Sequence, residues 1–273
     1  MRQILFSIFL CLAMALIAGQ QADNDLQAIK EHLTQKKGGR WTWVFYGDSI
    51  THGCAHTAGW RNFPEIFEER VRNELGLPYD AIVNTGISGQ SSVELVGEKD
   101  FEWRVRRFQP NAVLILIGSN DIVRNYTGTI HDFRKRLEQL VEMVRSAGAI
   151  PVLQTYTTIL YVNDAPTEYL RGYVKRFEEF PAYNEVIRAV AAEKDTILVD
   201  HARHWEKEAN DFDTLNFWQG ETIHPGGKGH QEMAIVIFKA FGAYDSKSKC
   251  LTLDAGGEPP PAVRQAAIQR QGR

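Results

Sequence analysis

Ser49, in Gly47-Asp48-Ser49-Ile50-Thr51, comes directly after the apolar run Trp41-Thr42-Trp43-Val44-Phe45-Tyr46. A β-rich run that stops at Gly-Asp-Ser sets a small hydroxyl at the C-terminal end of a strand, the edge where open α/β sheets bind ligands. Ser49 is a candidate nucleophile if the chain also supplies a base and an oxyanion site. Gly, Asp and Ser are turn formers too, so an ordinary strand-to-loop turn fits these five residues equally well. Three further segments carry the missing parts. Asn84-Thr85-Gly86-Ile87-Ser88-Gly89 and Gly118-Ser119-Asn120-Asp121 follow two other strand-like runs, and Glu221-Thr222-Ile223-His224-Pro225 precedes the last helical pattern. Where three strand ends meet in one crevice, it would hold a hydroxyl, a glycine backbone, an asparagine amide and an imidazole. Acyl transfer needs these parts.

The elements that must position them alternate along the chain. Short apolar runs at 41–46, 81–84, 112–117, 150–155 and 196–199 end in Gly or polar residues, as strands buried on both faces do. Between them lie helical periodicities over 63–75, 133–146, 183–192 and 231–241. Residues 25–37 read as a polar, partly helical lead-in. The alternation predicts a parallel sheet covered by helices on both faces, in one three-layer α/β/α domain over residues 25–245. Residues 157–180, with Tyr161, Tyr169 and Tyr173, show no strand and read as an insertion after the fourth strand. The tail 254–273, with Gly256-Gly257 and Pro259-Pro260-Pro261, is expected to be disordered.

A formal net charge of -3 over 273 residues gives no reason to expect nucleic acid or an anionic membrane as partner. Met1-Arg2-Gln3, an apolar run over 4–18 and small residues at Gly19 and Ala22 read as a signal peptide over residues 1–22. The run falls short of the ~20 residues that span a bilayer. The mature chain is therefore expected outside the cytoplasm, secreted or periplasmic, and not inserted in a membrane. It keeps Cys54 and Cys250, which form either one disulfide or two free thiols.

The four segments, in this order, resemble the four blocks of the SGNH (GDSL) hydrolase superfamily, across residues 43–241. The resemblance implies a flavodoxin-like, five-stranded parallel sheet and a serine esterase with no metal or organic cofactor. It also implies Ser49 as nucleophile and oxyanion donor, Gly89 and Asn120 as the other donors, and His224 as base. The family places Asp three residues before the His, where this chain has Glu221. A carboxylate of either length can orient an imidazole, so Glu221 is expected to be the third member. The competitors are Asp211, Asp213, or a Ser-His dyad helped by a backbone carbonyl. No Gly-x-Ser-x-Gly occurs, which removes the nucleophile elbow of the other α/β-hydrolases.

The remaining candidates have plainer readings. Asp48 and Asp121 are expected to accept backbone N–H bonds in turns, and Asn84 to stabilise one. His52 and His56 have metal-pair spacing but no further ligand set, so they read as ordinary polar histidines. His201 and His204 are placed on a loop after the last strand, and His230 at the start of the final helix. Gly226-Gly227-Lys228-Gly229 lacks the Ser or Thr of a phosphate loop and reads as the turn into that helix. Of Trp60, Trp103, Tyr156, Tyr161 and Trp218, two are expected at the site, and Arg61 is expected to be solvated. The chain thus reads as an exported esterase that removes a short acyl group, acetyl, from a carbohydrate ester. Its rivals are a lysophospholipase or thioesterase, and a sugar-binding module without turnover.

Overall fold

A computed structural model describes residues 20–54, 57, 59–160 and 168–252, with backbone only for 168–170. Most of the expected signal peptide, His56, Tyr161 and the tail 254–273 lie outside the described residues.

Five strands, β1 (Thr42–Gly47), β2 (Ala81–Asn84), β3 (Ala112–Leu116), β4 (Ile150–Gln154) and β5 (Ile197–Val199), form one sheet in the order β2-β1-β3-β4-β5. Every pairing is parallel. The chain steps from β1 to β2 on one side and then crosses to β3 on the other. That makes the C-terminal end of β1 the topological switch point. The register sets the ends of β1 and β3 level, Gly47 beside Leu116, while β2 ends two residues earlier, with Asn84 beside Phe45.

Burial explains which runs became strands. Trp43, Val44, Phe45 and Tyr46 in β1 and Ala112–Leu116 in β3 are buried, because helices cover both faces of the central strands. The edge strand β2 departs from the expected double burial: Ala81 and Asn84 are exposed and the two residues between are half-buried.

Helix α1 (Gln20–Gln35) leads in, starting five residues before the expected position. Helix α2 (Ser49–His52) follows β1 directly, and α3 (Phe63–Glu69) continues as a π-helical turn over Arg70–Glu74. Helices α4 (Ser92–Leu95) and α5 (Glu98–Arg104) lie between β2 and β3; α6 (Ser119–Val123) and α7 (Ile130–Ser146) lie between β3 and β4. Helix α8 (Glu168–Glu193) leads to β5. It is followed by α9 (His201–Glu208), α10 (Phe212–Trp218), α11 (Gly227–Ala240) and α12 (Lys249–Thr252). Helix α3 packs on α11, while α7 packs on α8 and β4, which gives the three layers.

Two further expectations need correction. Much of the supposed insertion is the first half of α8, a 26-residue helix that runs through Pro181. Its buried stripe Tyr173, Phe180, Tyr183, Ile187 and Val190 has helical spacing throughout, so tertiary burial offsets the backbone bond that Pro181 cannot make. His201 and His204 lie on α9, which Asp200 caps by accepting from Arg203 N at 3.1 Å. Asp211 caps α10, and Asp213 lies in its first turn.

Candidate active site

The turn that carries Ser49, the expected nucleophile, is held by close backbone approach. A Cβ on Gly47 would run into the Leu116 carbonyl and the Thr51 hydroxyl, so only glycine lets the end of β1 meet both β3 and α2. Asp48 then caps α2, its Oδ1 accepting from Ile50 N at 3.0 Å. Ser49 is the first helical residue and half-buried, and its N–H has no carbonyl one turn back to pair with.

His224, the expected base, lies on a tight loop. Gln219 and Pro225 form an isolated antiparallel bridge, and Gly220 N donates to His224 O at 2.9 Å. That closure folds Glu221 back on His224. Ser49 Oγ lies 2.7 Å from His224 Nε2, while His224 Nδ1 donates to Glu221 Oε1. The same carboxylate oxygen accepts from His224 N at 3.2 Å. Asp211 is committed elsewhere: its two oxygens accept from Thr214 N at 2.8 Å and Thr214 Oγ1 at 2.7 Å. Asp213 is exposed.

The β2–α4 loop carries Gly89 with φ +83°, a left-handed conformation that favours glycine. This loop is tied to both neighbours. Ile87 N donates to Gly47 O at 3.1 Å, and Asn120 Nδ2 donates to Gln90 O at 2.8 Å. His52 Nδ1 and Ser88 Oγ add a third tie at 3.1 Å. Among the described residues, the N–H groups of Ser49 and Gly89 have no protein acceptor. Such an arrangement can offer two backbone donors and one amide donor to an oxygen that gains negative charge.

Two buried carboxylates brace the site. Asp48 is fully buried and accepts from Tyr156 Oη at 2.5 Å; burial pushes its carboxyl up to about 6, against the pull of that bond and of the Ile50 N–H. Burial and the adjacent Asp48 push the Tyr156 phenol well up. Asp121 accepts from Ser92 N at 2.9 Å and is also raised by burial. Asn84 accepts from Gly86 N at 2.9 Å and donates to Thr51 O at 2.7 Å, as a turn-stabilising side chain should.

Of the aromatic candidates among the described residues, Tyr156 lies against Asp48 in the site, whereas Trp60 is exposed in a cleft of about 820 Å³ whose lining includes His52 but not Ser49, Gly89, Asn120 or His224. Trp103 is exposed with Arg107 over its ring at 4.6 Å, and Trp218 is buried against Trp205 at 4.9 Å. Arg61 pairs with Glu69 rather than standing free. His230 packs on the Phe63 ring and accepts from Phe63 N at 3.2 Å. Cys54 is exposed and Cys250 buried, each a free thiol; burial and the nearby Glu74 raise the Cys250 thiol to about 11.

Two guanidinium groups were not picked out in the sequence. Arg176 donates to Asn120 Oδ1, and the Nη2 of Arg124 lies 3.1 Å from where a side chain on Gly89 would begin. The signal for Arg176 was the stripe from Tyr173 to Val190, which places it on a helix flank.

Residues 45–232 match the profile of the GDSL-like lipase/acylhydrolase family. An uncharacterized protein of Mycoplasma pneumoniae (strain ATCC 29342 / M129) is 28% identical over 149 residues. The match covers 53% of this chain and only 16% of that relative's length. Among solved structures, an acetylxylan esterase from Geobacillus stearothermophilus superposes with TM-score 0.60 at 20% identity, covering 77% of this chain and 99% of that one. The lipase/acylhydrolase from Enterococcus faecalis superposes with TM-score 0.58 at 21% identity, covering 77% and 100%. These two likenesses are of fold. With the family profile matched over most of the domain, the chain belongs to the GDSL-like lipase/acylhydrolase family, a family of carboxylic ester hydrolases.

Proposed function

We propose that this protein is an exported serine esterase that removes a short acyl group, acetyl, from a carbohydrate acceptor. The observation that carries the reading is the relay from Ser49 Oγ through His224, 2.7 Å away at Nε2, to the Glu221 carboxylate at Nδ1. A serine hydroxyl attacks an ester only when a base takes its proton. His224 Nε2 takes it as Oγ bonds to the acyl carbon, and Glu221 orients the ring and stabilises its cationic form. Negative charge on the former carbonyl oxygen is met by Ser49 N–H, Gly89 N–H and Asn120 Nδ2. Collapse expels the sugar oxygen, which receives the proton from Nε2. Water then attacks the acyl-serine by the same steps and releases the carboxylic acid.

The carbohydrate acceptor is supported by the cleft lined by His52, Gly53 and Trp60, on the segment that follows Ser49 in the chain. Trp60 offers a ring face there and Asn73 a polar side chain. The acetylxylan esterase of like fold acts, by its name, on an acetylated polysaccharide. The apolar run over 4–18 supports export. A longer acyl chain has one observation in its favour, a cavity of about 460 Å³ walled in part by Ile159, Phe177 and Phe180. Hydrolysis rates over acetate, butyrate and octanoate esters, with acetate release from acetylated polysaccharides, test the proposal. Acetate esters are expected to react fastest; preference for octanoate would overturn the acetyl reading.

A further inference from the structure

Arg176 comes from α8, 56 positions after Asn120, and crosses to the turn that opens α6. Its Nη2 donates to Asn120 Oδ1 at 3.2 Å, and its Nε lies 3.1 Å from both Ser119 O and Ser119 Oγ. On the far side of the amide, Asn120 Nδ2 donates to Gln90 O at 2.8 Å. A guanidinium can only donate and a backbone carbonyl can only accept. The amide therefore fits in one sense only. Turned over, its NH2 would face the guanidinium and its oxygen would face a carbonyl, and a buried side chain would lose both bonds.

The count of hydrogens adds to this. Asn120 Nδ2 has two, and Gln90 O takes one. The second is the only one left for an oxygen in the hole. A cation bonded to the amide oxygen draws electron density from the nitrogen and strengthens that remaining N–H as a donor. Asp48 and Glu221 are the carboxylates that act on the guanidinium, both through space, and Tyr173 and Tyr156 face it as well.

We propose that Arg176 is a positioning residue for the oxyanion hole, holding the Asn120 amide by its oxygen so that the free N–H is aimed and polarised before substrate arrives. This rests on the reading of Asn120 as an oxyanion donor. A purely structural brace between α8 and α6 would act on stability and not through Asn120.

The test is a double-mutant cycle on p-nitrophenyl acetate with wild type, Arg176→Met, Asn120→Ala and the double variant, with melting temperatures measured alongside. Asn120→Ala is expected to lower kcat by about 10²–10³-fold. Arg176→Met is expected to lower kcat by roughly tenfold or more with KM within about twofold, and to add less than about twofold on the Asn120→Ala background. Arg176→Lys, which keeps the charge and one donor, should lose only about a few-fold, and that loss should also vanish without the Asn120 amide. It serves as the variant for the cycle if Arg176→Met does not fold. An equal loss on both backgrounds, or an effect on KM alone, overturns the role of Arg176 while leaving the hole intact. If Asn120→Ala leaves kcat within a few-fold of wild type, the oxyanion reading itself falls.

Discussion

Ser49, His224 and Glu221 make their relay because a three-residue spacing in a bridged loop folds the longer acidic side chain back onto the imidazole. The extra methylene of glutamate is absorbed by that closure. Glu221→Gln should lower kcat by roughly 10²–10⁴-fold, because the amide cannot stabilise the imidazolium. Asp213→Asn should leave kcat within about twofold, since that side chain is exposed. The reverse order would reassign the acid. Asp48, next to Ser49, makes a separate prediction about stability. Its carboxyl titrates near 6 in the folded chain, above the usual 3.8, because burial disfavours the charge. Between those values the folded chain holds a proton that the unfolded chain has released, so this group's contribution falls as pH rises and levels off above about 6. Asp48→Asn keeps the cap and removes the titration. Its melting temperature should gain on wild type as pH is raised from about 4 to 6.5; a gap that stays constant would contradict the burial argument.

At the level of elements, the site depends on how the ends of β1, β2 and β3 are set against one another. Gly47→Ala forces a methyl group against the Leu116 carbonyl and Thr51, so β1, β3 and α2 must separate. The expected cost is about 1–3 kcal/mol of stability, with kcat falling roughly tenfold or more as Ser49 shifts from His224. Thermal unfolding and kcat on an acetate ester check both, and an unchanged kcat would show slack in the strand ends. The strands were legible because runs such as Trp43–Tyr46 are apolar on both faces, which only a covered sheet tolerates. Helix α8 was legible only in its second half. Pro181 reads as a break in sequence, and only the burial of Tyr173 and Phe180 in the fold reveals the helix before it. Helices α2, α4, α6 and α10 have four to seven residues, too short for a periodicity to register.

Across the whole molecule, the sheet has the site at one end and a polar anchor at the other. His32 of α1 bonds Asp80 at 2.7 Å, and Asp80 accepts from Trp41 N and Trp43 Nε1 at 3.0 Å each. That anchor fixes the starts of β1 and β2 as the turns around Ser49 and Gly89 fix their ends. The four motif blocks were legible because each falls at the end of a strand or just before the last helix, and order along the chain survives in sequence. Contacts across the fold were not legible: nothing in the spacing told that Arg176 meets Asn120, or that Tyr156 meets Asp48, 108 positions apart. The central claim, that Ser49 is an activated nucleophile, is tested most directly by reaction with a fluorophosphonate probe and mapping of the adduct by peptide mass. The account predicts one adduct per chain, on Ser49, absent in Ser49→Ala and strongly slowed in His224→Ala. An unlabelled wild type, or an adduct on another residue, would contradict it.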